Sequence, residues 1–134
     1  MITVNQIYTY VKNRITAGRS LYVSSTPEPL PPQFPSVEIV EMNHYPLERA
    51  LPINFGEHDT VSLRRDFEVH VYSNLKNGAL TQARDIMTDV ETAFREAYFV
   101  ETYCSQARNA DPTVVHMVAR FTRNIGDGDA LTVS

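Results

Sequence analysis

The 134-residue chain holds a single cysteine, Cys104, so no disulfide can form within it. That excludes a disulfide-stapled scaffold and fits a reducing compartment. No apolar run approaches the roughly 20 residues that span a bilayer. The first residues already carry a helix pattern and no charged-then-apolar leader, so a soluble, intracellular protein is expected. Basic side chains are outnumbered, 12 against 16 acidic ones, for a net charge of −4. That weighs against a protein that binds nucleic acid by neutralising phosphates. It does not exclude one that surrounds DNA without gripping it, because acidic linings repel phosphates. Phosphate-cradling glycine loops, dinucleotide fingerprints and hydrolase nucleophile elbows are absent as well.

What is present suits one globular domain. Apolar residues make up 43% and charged residues 21%, and a chain of this length buries roughly two thirds of its unfolded surface without help from a metal. Thr3 and Gln6 have capping-box spacing, and Val4, Ile7, Tyr8, Val11 and Ile15 recur at helical spacing up to a stop at Gly18, predicting a helix over 4–17. Residues 21–24 are β-prone. Five of the eight prolines fall in 25–35, which predicts an extended connector. Residues 36–43 read as a strand.

No period governs 44–60, although Tyr45, Leu47, Leu51, Ile53 and Phe55 lie there. A long loop that orders against a partner is the expectation. Residues 61–73 alternate cleanly, with Val61, Leu63, Phe67, Val69 and Val71 on one face, where Arg65 alone breaks the row. Ser62, Arg64, Asp66, Glu68, His70 and Tyr72 take the other face. After Asn77-Gly78, a 3.6 period from Ala79 to Ala97 predicts a second helix, with Glu91 and Arg95 paired on its outer face. Residues 99–107 and 113–124 read as strands joined by a turn at 109–112, and 126–134 as a flexible tail. The expected fold is α+β, a mixed, largely antiparallel sheet of four to five strands with two helices packed on one face. It forms a single domain over 1–125.

Few side chains suggest chemistry. His70 and His116 lie mid-strand on polar faces and could meet if their strands are neighbours, with Glu68 as a third ligand, yet no ligand spacing specifies a metal. Cys104 has no local base and reads as a half-buried structural thiol. Asp85, Asp89 and Glu96 share a helix face and read as a solvated surface rather than a cation site. Asp127-Gly-Asp129 starts like a calcium loop but lacks its later ligands. Arg64, Arg65, Arg120 and Arg123 would form a basic patch if their strands pair, with pairing to Asp66 and Glu68 as the alternative. The expectation is a protein that is not an enzyme and needs neither cofactor nor metal.

Three segments, Phe34-Pro-Ser-Val-Glu-Ile-Val-Glu-Met-Asn43, Asp66-Phe-Glu-Val-His-Val-Tyr-Ser-Asn74 and Met117-Val-Ala-Arg-Phe-Thr-Arg123, together with the helix and strand pair between them, resemble the tail-terminator (tail-completion) proteins of long-tailed bacteriophages and prophages. The resemblance covers about residues 1–125. It implies a structural protein of the virion tail, assembled in the host cytoplasm as a ring, commonly a hexamer. Such a ring caps the tail tube, stops its polymerisation and offers a surface to the head connector or stopper, while DNA passes through the lumen unread. Partners are then further copies of the chain, the tube protein and the connector, with no membrane. The candidate subunit or tube interface comprises Leu47, Leu51, Ile53 and Phe55 from the loop and Arg64, Asp66, Glu68 and His70 from the polar strand face. Alternatives are a head–tail connector or neck subunit, and a small-ligand-binding module on the face bearing His70 and His116.

Overall fold

The computed structural model describes residues 1–28, 31–47 and 62–132, with only the backbone for 43–47 and 62. Thr3 opens the first helix, α1 (Val4–Thr16), through both halves of the capping box: its hydroxyl accepts from the Gln6 backbone amide at 3.2 Å, and the Thr3 backbone amide donates to Gln6 Oε1 at 2.7 Å. Ile7, Val11 and Ile15 form the buried stripe that the spacing predicts. Strand β1 (Tyr22–Ser24) follows, then the proline-rich connector, then β2 (Ser36–Leu47) and β3 (Ser62–Ser73). The second helix, α2 (Ala79–Glu96), starts after Gly78, whose φ of 91° suits only a residue without Cβ. Strands β4 (Val100–Ala107) and β5 (Val115–Gly126) complete the chain.

The strands form one sheet in the order β1-β2-β3-β5-β4, parallel at β1–β2 and antiparallel elsewhere. Register puts Ile39 beside Val69 and Val69 beside Ala119, with Val37–Val71–Met117 and Phe67–Phe121 as flanking rows. These apolar rows share one core with Ile7, Val11 and Ile15 of α1 and Ala83, Ile86, Met87, Val90 and Phe94 of α2. The expected architecture is therefore present: an α+β layer pair with the helices packed against the sheet. At its centre Phe94 stacks on Phe121 at 4.3 Å and meets Phe99 edge-on at 5.1 Å, a geometry that adds to plain area burial.

Three details differ from the sequence reading. Strand β2 runs on to Leu47, so residues 44–47 are strand and not loop; their partners are Arg65, Arg64, Leu63 and Ser62 of β3. The rest of the expected loop lies outside the described residues. Asp89 and Glu96 lie on the solvent-exposed side of α2, as expected, and also tie it to α1 and to the turn that follows α1. Glu96 accepts from Arg14 at 2.8 and 2.7 Å and from the Tyr10 hydroxyl at 2.7 Å, and Asp89 accepts from Arg19. Glu91, expected to pair with Arg95, hydrogen-bonds the Glu101 side chain on β4, which Arg95 also influences through its charge. Residues 127–132, expected as a flexible tail, are held by Arg123, whose guanidinium donates to the carbonyls of Ala97, Ala130 and Leu131. Asp129 closes its turn by accepting from the Gly126 amide at 2.7 Å, which accounts for the calcium-like start of this segment.

Candidate functional site

The sheet face away from the helices carries the polar residues of β3 expected from its alternation. Pairing of β3 with β5 sets Glu68 opposite Arg120, His70 opposite Val118 and Tyr72 opposite His116. The two histidines do meet, diagonally: His70 Nδ1 lies 2.8 Å from His116 Nε2, and His70 Nε2 lies 2.7 Å from Glu68 Oε1. The other Glu68 oxygen accepts from Arg120 Nε at 2.8 Å. Tyr72 stacks on His116 at 4.3 Å between ring centres, and Arg120 lies 5.3 Å over the Tyr103 ring. A continuous polar chain thus crosses three strands, from His116 on β5 through His70 and Glu68 on β3 back to Arg120, then to Tyr103 on β4.

Burial and pairing set the charge states along this chain. Partial burial, then the His70 charge, push His116 down to about 4, so at neutral pH this ring is uncharged and holds one proton. Burial alone would raise Glu68, but hydrogen bonds from Arg120 and His70 outweigh it and hold the carboxyl below its usual range. Tyr72 is pushed up to about 12 by burial and by the carboxylates of Glu38 and Glu68. Glu38, on β2 beside His70, is only 5% exposed. Burial raises its carboxyl, offset in part by the Glu28 amide, which donates to it at 3.2 Å. The remaining charges also pair locally: Arg64 Nε donates to Asp66 at 3.1 Å, and Asp66 accepts from Thr122 at 2.5 Å.

Of the two arrangements open to the four arginines, pairing with Asp66 and Glu68 is the one present, for Arg64 and Arg120, and strand alternation divides the four between two faces. Arg64 and Arg120 stand on the open face beside Asp66 and Glu68. Arg65 and Arg123 are register partners on the helix side, where Arg65 is bound by Glu41 at 2.5 Å and Arg123 by backbone carbonyls. Cys104 is exposed rather than half-buried, since β4 is an outer strand. Desolvation and the nearby Glu101 and Glu91 push its thiol up, so it stays protonated and a poor nucleophile.

Of the candidate interface residues, Arg64, Asp66, Glu68 and His70 line up along β3 on the open face. Leu47 ends β2, with its side chain outside the described residues, and Leu51, Ile53 and Phe55 lie wholly outside them. The histidines and Glu68 are strung in a line by hydrogen bonds and do not converge on a shared centre. Among the described residues Glu91, Glu101 and Cys104 bring ligand atoms within 4.8 Å of one another at the sheet edge. There burial and the Glu91 carboxylate raise Glu101 to about 7. Glu38, Tyr103 and the Glu91–Glu101 pair escaped the sequence reading, since each gains its role only from a neighbouring element. Cavities of about 580 Å³ beside Tyr98 and Arg123 and about 550 Å³ beside Arg19 and Gln82 touch neither histidine. Among the described residues no helix is long and apolar enough to cross a membrane.

Neither a scan of the chain against protein-family models nor a search of curated proteins returns a match.

Proposed function

We propose that this chain is a structural subunit of a long-tailed phage or prophage: it forms a ring that caps the tail tube, stops its polymerisation and presents the head-joining surface. The observation that carries the reading is the open sheet face. Its charged groups are satisfied within the subunit, Arg120 and His70 by Glu68 and Arg64 by Asp66. Among the described residues such a wall offers no cluster of free cations to hold phosphates, so DNA can pass along it without being retained. The same sheet has helices on one side only, an arrangement suited to lateral assembly of like units. The resemblance of the three strand segments to tail terminators supplies the tube as partner. A small-ligand module would instead call for a concave apolar site around His70 and His116. The two cavities described above lie elsewhere.

The end of β2 and the segment 48–60 that follows it are assigned to contact with the neighbouring subunit or the tube, with Leu47, Leu51, Ile53 and Phe55 as apolar anchors. Negative-stain microscopy of the chain bound to tube ends tests this assignment. Replacing Leu51, Ile53 and Phe55 together by alanine should abolish end-capping while leaving the fold intact by circular dichroism. A triple variant that still caps tubes would remove the segment from the mechanism.

A further inference from the structure

We propose that the outer edge of β4 is a docking strand for an extended segment of a partner protein, one that carries a lysine or arginine flanked by apolar residues. The inference goes beyond the ring reading and does not depend on it. Strand β4 and both segments that flank it, the end of α2 with Tyr98 and Phe99 and the turn over 108–114, lie wholly within the described residues. Among these, β4 pairs only with β5, and its eight residues contain neither lysine nor proline, two devices that blunt a sheet edge. The outward N–H and C=O groups of such a strand are a template for another.

The side chains of β4 determine which strand fits. Residues 100–104 are all exposed, so both faces of the edge are open to a newcomer. The bulge at Glu101/Tyr103 turns Val100 and Tyr103 to one face although they are three residues apart, beside Thr122 and Arg120 on the open side of the sheet. Val100 and Tyr103 are 64% and 47% exposed, and Arg120, fixed by Glu68, lies over the Tyr103 ring and steadies it. On the helix side stand Glu101 and Cys104, partners of Phe121 and Ala119. Glu91 reaches in from α2, and the ligand atoms of the three lie within 4.8 Å of one another. Burial, with the hydrogen bond and charge of Glu91, raises Glu101 to about 7, and the Arg95 charge offsets only part of this. One basic side chain from a partner would meet both carboxyls. Alternation then sends its two neighbours to the open face, beside Val100 and Tyr103, where apolar residues fit. A second copy of β4 is the poorer match, since its eight residues bring another glutamate and no cation.

The test uses the whole chain, labelled with nitrogen-15, and the capped peptide Val-Thr-Val-Lys-Val-Thr-Val as probe. This lysine peptide is expected to shift the amide signals of Val100–Ala107 and to slow their exchange with solvent. Two companion peptides, one with glutamate in place of lysine and one N-methylated throughout so that it has no strand-forming N–H, should do neither. Glu91→Gln combined with Glu101→Gln, which keeps the shape of both side chains, should weaken the lysine peptide about fivefold, the scale of a partly exposed ion pair. No shift on β4 at millimolar lysine peptide would overturn the proposal. Equal shifts from the N-methylated peptide would overturn strand addition in favour of a plain charge contact. Equal binding of the glutamate peptide, or of the lysine peptide to the double variant, would overturn the assigned chemistry. Shifts on β4 that appear as the chain itself is concentrated, without peptide, would make a second copy the occupant and overturn the proposal as well.

Discussion

At position 116 the ring sits half-buried between Tyr72 and His70, and its pKa falls from 6.5 to about 4. A lowered folded value means the unfolded chain takes up the proton first as pH drops. The stability from the neutral ring is fully present above pH 6.5 and is lost as pH falls toward 4. The full shift corresponds to about 3 kcal/mol, and solvent screening of a half-exposed ring reduces this to about 1 kcal/mol. His116→Gln should therefore flatten the decline in urea-unfolding stability between pH 6.5 and 4 relative to wild type. An unchanged slope would mean that the ring is not held neutral by its surroundings. Thr3 offers a second residue-level test: both hydrogen bonds of its capping box are made, and Thr3→Ala should cost about 1 kcal/mol by chemical denaturation. In the core, Phe94 is fully buried and meets three other phenyl rings, those of Phe67, Phe99 and Phe121. Phe94→Ala should cost roughly 3–5 kcal/mol in the same assay.

At the scale of elements, legibility followed periodicity. Both helices and the alternation of β3 were evident because each buries one stripe against a single layer, which imprints a period on the residues. The last residues of β2 were not. Residues 44–47 hold Pro46 and no alternation, and they become strand because β3 runs beside them. The polar face of β3 was legible by parity alone, but the contact of His70 with His116 was not. It depends on β3 and β5 being neighbours although α2 and β4 intervene in the chain. The arginines show the same limit from the other side. Pairing of Arg64 and Arg120 with Asp66 and Glu68 could be read from charge and parity, whereas the meeting of Arg65 with Arg123 on the helix side depends on register. The exposure of Cys104 likewise follows from strand order, which no local pattern encodes.

For the molecule as described, one face of the sheet is covered by helices, the charged groups of the other pair with one another, and Met42, Val100 and Tyr103 are exposed apolar residues on β2 and β4. Such a unit has little to do alone and much to gain from neighbours, which is the physical content of the ring proposal. The most direct measurement is the length distribution of tail tubes polymerising from a long-tailed phage's tail-tube protein, followed by electron microscopy as the chain is added in substoichiometric amounts. Tubes that stop growing, each with a ring on one end and a mean length that falls as the chain concentration rises, are the predicted result. Tubes that stay bare and lengthen at the same rate at every concentration would contradict it.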